Sequence, residues 1–141
     1  MRRNIAMKWA KALRSGEYKQ TEGQLRGDNG FCCLGVLCNL HAQEHPKIAE
    51  KEISPCTYMG EDTALPEAVI EWAGIQGGGY CRFPSTLRPK YRFPDSDKDD
   101  KDQIGYSMTD LNDEAKWDFK KIAAFIRKNY FYRSETWLSN H

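Results

Sequence analysis

At 141 residues, 40% hydrophobic and 29% charged, the chain has the size and composition of one globular domain, 1–141, with enough apolar side chains for its own core, which excludes disorder throughout. With 21 Lys and Arg against 20 Asp and Glu, the formal charge is +1, so whole-chain electrostatics favour neither nucleic acid nor membrane and any charged site must be local. The basic start MRRNIAMKWAKAL never reaches the uninterrupted apolar stretch of a secretory signal, and no run approaches membrane-spanning length; the expectation is a soluble protein of the cytoplasm with no membrane partner.

Ile5, Trp9, Ala10 and Leu13 recur at helical spacing between Arg3 and Arg14, and Ser15-Gly16 supplies a stop, which predicts an amphipathic first helix. The stretch YKQTEGQLRGDNG loses that period. Glu22-Gly23 can turn a short hairpin there, and Gly27 to Gly30 form a strong turn cluster. Phe31, Leu34, Leu37, Cys38 and Leu40 have few polar residues between them and predict a helix buried on most sides, ending near His41 or Ala42. From Gln43 to Thr63, Pro46 and Pro55 break the pattern, so loop is expected with one short strand near Cys56 to Met59.

PEAVIEWAG carries Pro at a first helical position, Glu in the first turn and Gly74 just past the end, the punctuation of a helix of about two turns. The glycines and prolines of IQGGGYCRFPSTLRPKYRFP argue against a helix, and its Tyr-Cys-Arg-Phe and Lys-Tyr-Arg-Phe segments read as short strands. DSDKDDKD, 95–102, has the composition of a solvated, mobile acidic loop. A short helix around Met108 to Leu111 is expected to dock on a terminal helix whose face is Phe119, Ile122, Ala123, Ile126 and Tyr130, with Asp118 as its N-cap.

Five cysteines, two of them adjacent, make a poor disulfide framework and fit reduced thiols. Cys33 falls near a helix start, where free N–H groups and the helix dipole favour a thiolate, so it is the alternative catalytic residue. A nucleophile wants a base, however, and the only histidines are His41, His45 and His141. Packing is the simpler role for these sulfurs, because free cysteine is among the most buried residue types. Cys38, His41 and His45 can share a helix face but complete no zinc knuckle, and neither a metal nor a cofactor is expected. Gly35 inside the helix costs about 1 kcal/mol relative to Ala, and close approach of another backbone is the natural compensation.

Three polar groupings are candidate ligand sites. Tyr18, Lys19, Gln20, Gln24 and Arg26 bracket the turn before the cysteine helix, a place where an anion can meet a helix start, unless they serve only the loop's own backbone. The stretch from Tyr80 to Pro94 carries Arg82, Arg88, Lys90 and Arg92 without an acid, interleaved with Tyr80, Phe83, Tyr91 and Phe93. Rings stack bases and guanidiniums neutralise phosphate, which suits a nucleotide. The competing reading pairs those arginines with the acidic run. Asn112 and Asp113 offer an amide and a carboxylate for a ligand or for capping the next helix. Gly77-Gly78-Gly79 is no phosphate-binding loop, since the Gly-Lys-Ser/Thr ending is missing.

YKQTEGQLR running into GFCCLGVLCNL, then LPEAVIEWAG, then LNDEAKWDFKKIAAFI resemble the blocks of a family of short phage-encoded proteins of unknown function. In that family the first block reads Tyr-x-Gln, a Gly, a Leu-Arg pair and Cys-Cys-Leu-Gly-Val-Leu-Cys followed by Asp, where this chain has Asn39. The later block runs on to Ser-Phe, where this chain has Asp118-Phe119, an equally good cap. The resemblance implies viral origin and a role in the host encounter, and transfers no catalytic residue. Residues 76–106 lie outside the similar blocks.

These readings converge on a small α+β domain, mostly helical, with short strands and long loops. The functional expectation is a phage accessory protein of counter-defence type that binds and sequesters a small phosphorylated host molecule such as a signalling nucleotide, with a homo-oligomer among the forms that could build its pocket. The site residues expected to bind are Tyr18, Gln20, Gln24, Arg26, Arg82, Arg88, Tyr91, Arg92, Asn112 and Asp113. Two alternatives stand beside it: a cysteine-dependent enzyme acting on a host molecule, and an inhibitor that contacts a host protein directly, with residues 95–102 mimicking nucleic acid.

Overall fold

A computed structural model describes residues 1–27, 29–51, 56–93 and 102–131. The helices in chain order are α1 (Arg3–Arg14), α2 (Cys33–Glu44), α3 (Pro46–Lys51), α4 (Glu67–Ala73), α5 (Met108–Asp113) and α6 (Phe119–Phe125), the last continued by a π-helical turn, Ile126–Phe131. The antiparallel strand pairs are β1 (Arg26–Gly27) with β2 (Gly30–Phe31), and β3 (Lys90–Tyr91) with β4 (Gln103–Ile104). The class is the expected small α+β domain.

The first helix runs as its periodicity predicts, burying Ile5, Ala6, Trp9, Ala10 and Leu13. It packs on α6 with the π turn and on α2. Trp9, fully buried, donates its indole N–H to the Cys33 carbonyl at 2.9 Å, so its large apolar body enters the core with its one polar atom satisfied. At the centre, α2 has no exposed face over its first half: Cys33 through Cys38 are all buried, and the helix touches α1, α3, α4 and α5. It runs two residues past the predicted end, to Glu44, whose carboxylate meets Lys8 at 2.7 Å and the Trp72 indole N–H at 3.0 Å.

Three local expectations are corrected. The hairpin turns between Gly27 and Gly30, with Gly23 only bending the chain at φ +84°. Pro46 opens α3 instead of breaking structure, because proline's missing N–H is no loss in a helix's first turn. Near Cys56 to Met59 the extended backbone is a single bridge, Tyr58 to Glu61, closed over Met59 and Gly60, both at positive φ. The terminal elements follow the reading: Asp118 caps α6 by accepting the Lys121 N–H at 2.8 Å, and Phe119, Ile122, Ala123 and Ile126 are buried. The acidic run read as a mobile loop lies outside the described residues except for Asp102.

Candidate functional site

The glycine-rich stretch after α4 owes its form to two hydrogen bonds, Cys81 N–H to Gly78 O at 3.0 Å and Arg82 N–H to Gly77 O at 3.1 Å. Gly77 and Gly78 adopt φ +94° and +77°, and a methyl group at Gly77 would overlap the Arg82 carbonyl oxygen. Only glycine makes that turn without strain. The turn is then stitched to the entrance of α5: Phe83 N–H donates to Tyr106 O at 2.7 Å and Met108 N–H to Cys81 O at 3.2 Å, with Arg82 bridged to Ser107 between them. On the other side Ser107 caps α5 by accepting the Asp110 N–H at 3.2 Å, while Asp110 Oδ2 accepts the Tyr106 N–H at 2.9 Å. This reciprocal arrangement resembles a capping box and fixes both side chains.

Between these two stretches lies a cleft of about 630 Å³ edged by Tyr80, Arg82, Arg88, Tyr106, Thr109 and Asp110, a volume within the roughly 300–1,000 Å³ usual for small-molecule sites. Arg88 lies 4.6 Å from the centroid of the Tyr106 ring, and both tyrosine rings are exposed. Among the described residues, neither Arg82 nor Arg88 forms an ion pair, although Asp110 edges the same cleft. Thr109 Oγ1 is buried without a hydrogen-bond partner. Leaving such a hydroxyl unpaired typically costs about 1–3 kcal/mol.

Other predicted site residues fall elsewhere. Arg92 pairs with Asp102 at 3.0 Å on an exposed surface, as the charge-network reading had it, and Tyr91 packs edge-on against Phe93. Gln20, Asn112 and Asp113 are brought together and bond inward. Gln20 Nε2 donates to Asn112 Oδ1 at 2.9 Å and to Trp117 O at 2.8 Å; Asn112 Nδ2 donates to Thr21 O at 2.9 Å and Asp113 Oδ1 at 2.8 Å. Asn112 Oδ1 also accepts the Cys33 N–H at 3.2 Å, and Asp113 Oδ2 accepts from Gly23 N–H. The pair therefore caps the start of α2 and holds the polar loop, whereas Asp118 caps the helix that follows. Tyr18 Oη accepts from Asn39 Nδ2 at 2.6 Å, Gln24 is exposed, and the Arg26 guanidinium lies over Tyr58 and Phe31 at 5.4 and 5.8 Å with its Nε buried and unpartnered.

Cys32, Cys33, Cys38 and Cys81 are buried and Cys56 half-buried, all as free thiols. Burial pushes Cys32 up to about 11, Cys81 up to about 12, and Cys33 and Cys38 well above the usual thiol range. Cys33 sits at the α2 start, but its thiol donates to Met108 O at 3.7 Å within the core, where desolvation outweighs the helix dipole. Native protein at pH 8 is accordingly expected to react with an aromatic disulfide reagent at Cys56 alone, the other four thiols appearing only in denaturant. Fast labelling of Cys33 in the folded chain would contradict this burial.

His41 Nδ1 meets Tyr58 Oη at 2.7 Å, and its pKa is lowered by burial and then by the stacked His45 ring, 4.2 Å away between centroids. His45 Nδ1 lies 2.8 Å from His41 O, so this nitrogen carries the proton. Among the described residues no group of three His, Cys, Asp or Glu is placed to share a metal ion.

Sequence reasoning singled out the two cleft arginines but missed Tyr106, Thr109 and Asp110. The Ser-x-x-Asp spacing from Ser107 to Asp110 was the available signal, and it announces a helix start, not a cleft wall.

Among the described residues, no helix is long and apolar enough to cross a membrane. No curated protein and no solved structure matches the chain. A family model described as Domain of unknown function (DUF8296) matches residues 1–130. With nearly the whole described fold inside that match, the chain belongs to the DUF8296 family.

Proposed function

We propose that this chain is a phage accessory protein of counter-defence type that works in the host cytoplasm, where it binds and thereby sequesters a small phosphorylated molecule such as a signalling nucleotide. The observation that carries the reading is the cleft in which Arg82 and Arg88, without ion pairs among the described residues, stand beside two exposed tyrosine rings. Guanidiniums recognise phosphate by charge-assisted, often bidentate hydrogen bonds, and aromatic faces accept a base. Binding without turnover fits because the thiols of Cys32, Cys33, Cys38 and Cys81 are packed away with raised pKa. The phage assignment rests on the resemblance of the sequence blocks.

The test has two arms. Protein denatured after purification is examined by mass spectrometry for a released nucleotide, and refolded or ligand-free protein is titrated with cyclic and ADP-ribose-type nucleotides. Arg82→Ala and Arg88→Ala are each expected to weaken binding by about tenfold or more, the loss of one charge-assisted contact. Absence of binding across the panel with the fold intact, or binding indifferent to both arginines, would overturn the proposal.

A further inference from the structure

The cleft contains one group that a simple phosphate site would exclude. Asp110 places a carboxylate among the same walls as Arg82 and Arg88, yet pairs with neither. Its position is fixed twice, by the Ser107 cap on its backbone and by the Tyr106 N–H on Oδ2. A carboxylate so held repels a bare phosphate and accepts hydrogen bonds from a donor. A ligand that suits the whole cleft therefore combines an anion for the arginines with a hydroxyl or amine for Asp110.

In a nucleotide the donors nearest the phosphate are the sugar hydroxyls, whereas the amino groups of the base lie at the far end. Carboxylate and guanidiniums line the same cleft of about 630 Å³, which favours the nearer donors, the sugar hydroxyls, as the partners of Asp110. We infer that Asp110 is the specificity-determining residue of this cleft, accepting a hydrogen bond from a ribose hydroxyl and selecting ribonucleoside phosphates over sugar-deoxygenated ones and over inorganic phosphates. The inference rests on the reading of the cleft as a phosphate-binding site.

Calorimetric titration of the full chain with ATP, 2′,3′-dideoxy-ATP and inorganic pyrophosphate tests it. ATP is expected to bind about tenfold more tightly than the dideoxy analogue, the usual worth of a hydrogen bond to a charged group. Asp110→Asn should erase that preference and bind pyrophosphate more tightly than the native protein, moving the two ligands in opposite directions. Asparagine's side-chain oxygen can still accept the Tyr106 N–H, so the variant keeps its local anchor. If it fails to fold, the comparison of ATP with its dideoxy analogue on native protein decides alone. Equal binding of those two overturns the role of Asp110 while the phosphate reading stands; no binding of any of the three overturns the inference, and the phosphate reading falls with it only if the cyclic and ADP-ribose-type panel fails as well.

Discussion

Gly35→Ala is expected to destabilise the protein by at least about 3 kcal/mol, against a total of roughly 5–15 kcal/mol for a domain of this kind. Helix propensity points the other way, since alanine favours a helix interior by about 1 kcal/mol. The contact decides the sign. A methyl group at Gly35 would land on the Leu25 carbonyl oxygen and lie 2.7 Å from the carbonyl carbon, and both atoms are backbone. Leu25 cannot retreat cheaply: its side chain is fully buried and its N–H donates to Asp62 O at 2.7 Å. Gly16→Ala is the control, with φ +79° and open space around the added carbon, so only conformational strain of about 1–2 kcal/mol applies. Urea unfolding of the two variants measures the gap. A Gly35→Ala protein as stable as the native one would mean that the loop does not lie against the helix as described.

Asn112→Ala is the second large effect, expected to cost about 3–4 kcal/mol because several buried partners lose their bonds together. The side chain is 1% exposed, caps the start of α2 through the Cys33 N–H, and ties Gln20 and Thr21 to α5. Gln20→Ala should cost less, since its amide is only part-buried. The double variant is expected to lose less than the sum of the singles, as residues sharing a network do. Strict additivity in a denaturation cycle would show that the two amides act independently.

The two variants also mark what the sequence could and could not disclose. Gly35 was legible: a glycine amid apolar helix residues has a local penalty, and a backbone pressed against it removes the puzzle. The role of Asn112 was not, because its partners Gln20, Thr21 and Cys33 are 79 to 92 positions away, and polar residues in a loop look alike whether they face a ligand or one another. A shorter separation along the chain hid the cleft. Arg82 and Arg88 stood out in a stretch without acids, but Tyr106 and Asp110 join them through the backbone bonds that stitch residues 81–83 to residues 106–108 and through the contact of Arg88 with the Tyr106 ring. Helices fared best where one face is apolar, as in α1. The end of α2 was set by Lys8 and Trp72 on other elements, which periodicity within the helix does not register.

The β3–β4 pairing has one more consequence. Tyr91 faces Gln103 across the ladder, and Arg92 grips Asp102 just beyond it, so the intervening stretch departs from and returns to a closed clasp. Chain length between such fixed points carries only a logarithmic entropy term, about 0.6 kcal/mol for each doubling. An epitope or reporter inserted between these two anchors is therefore expected to pass little strain to the sulfur-rich centre.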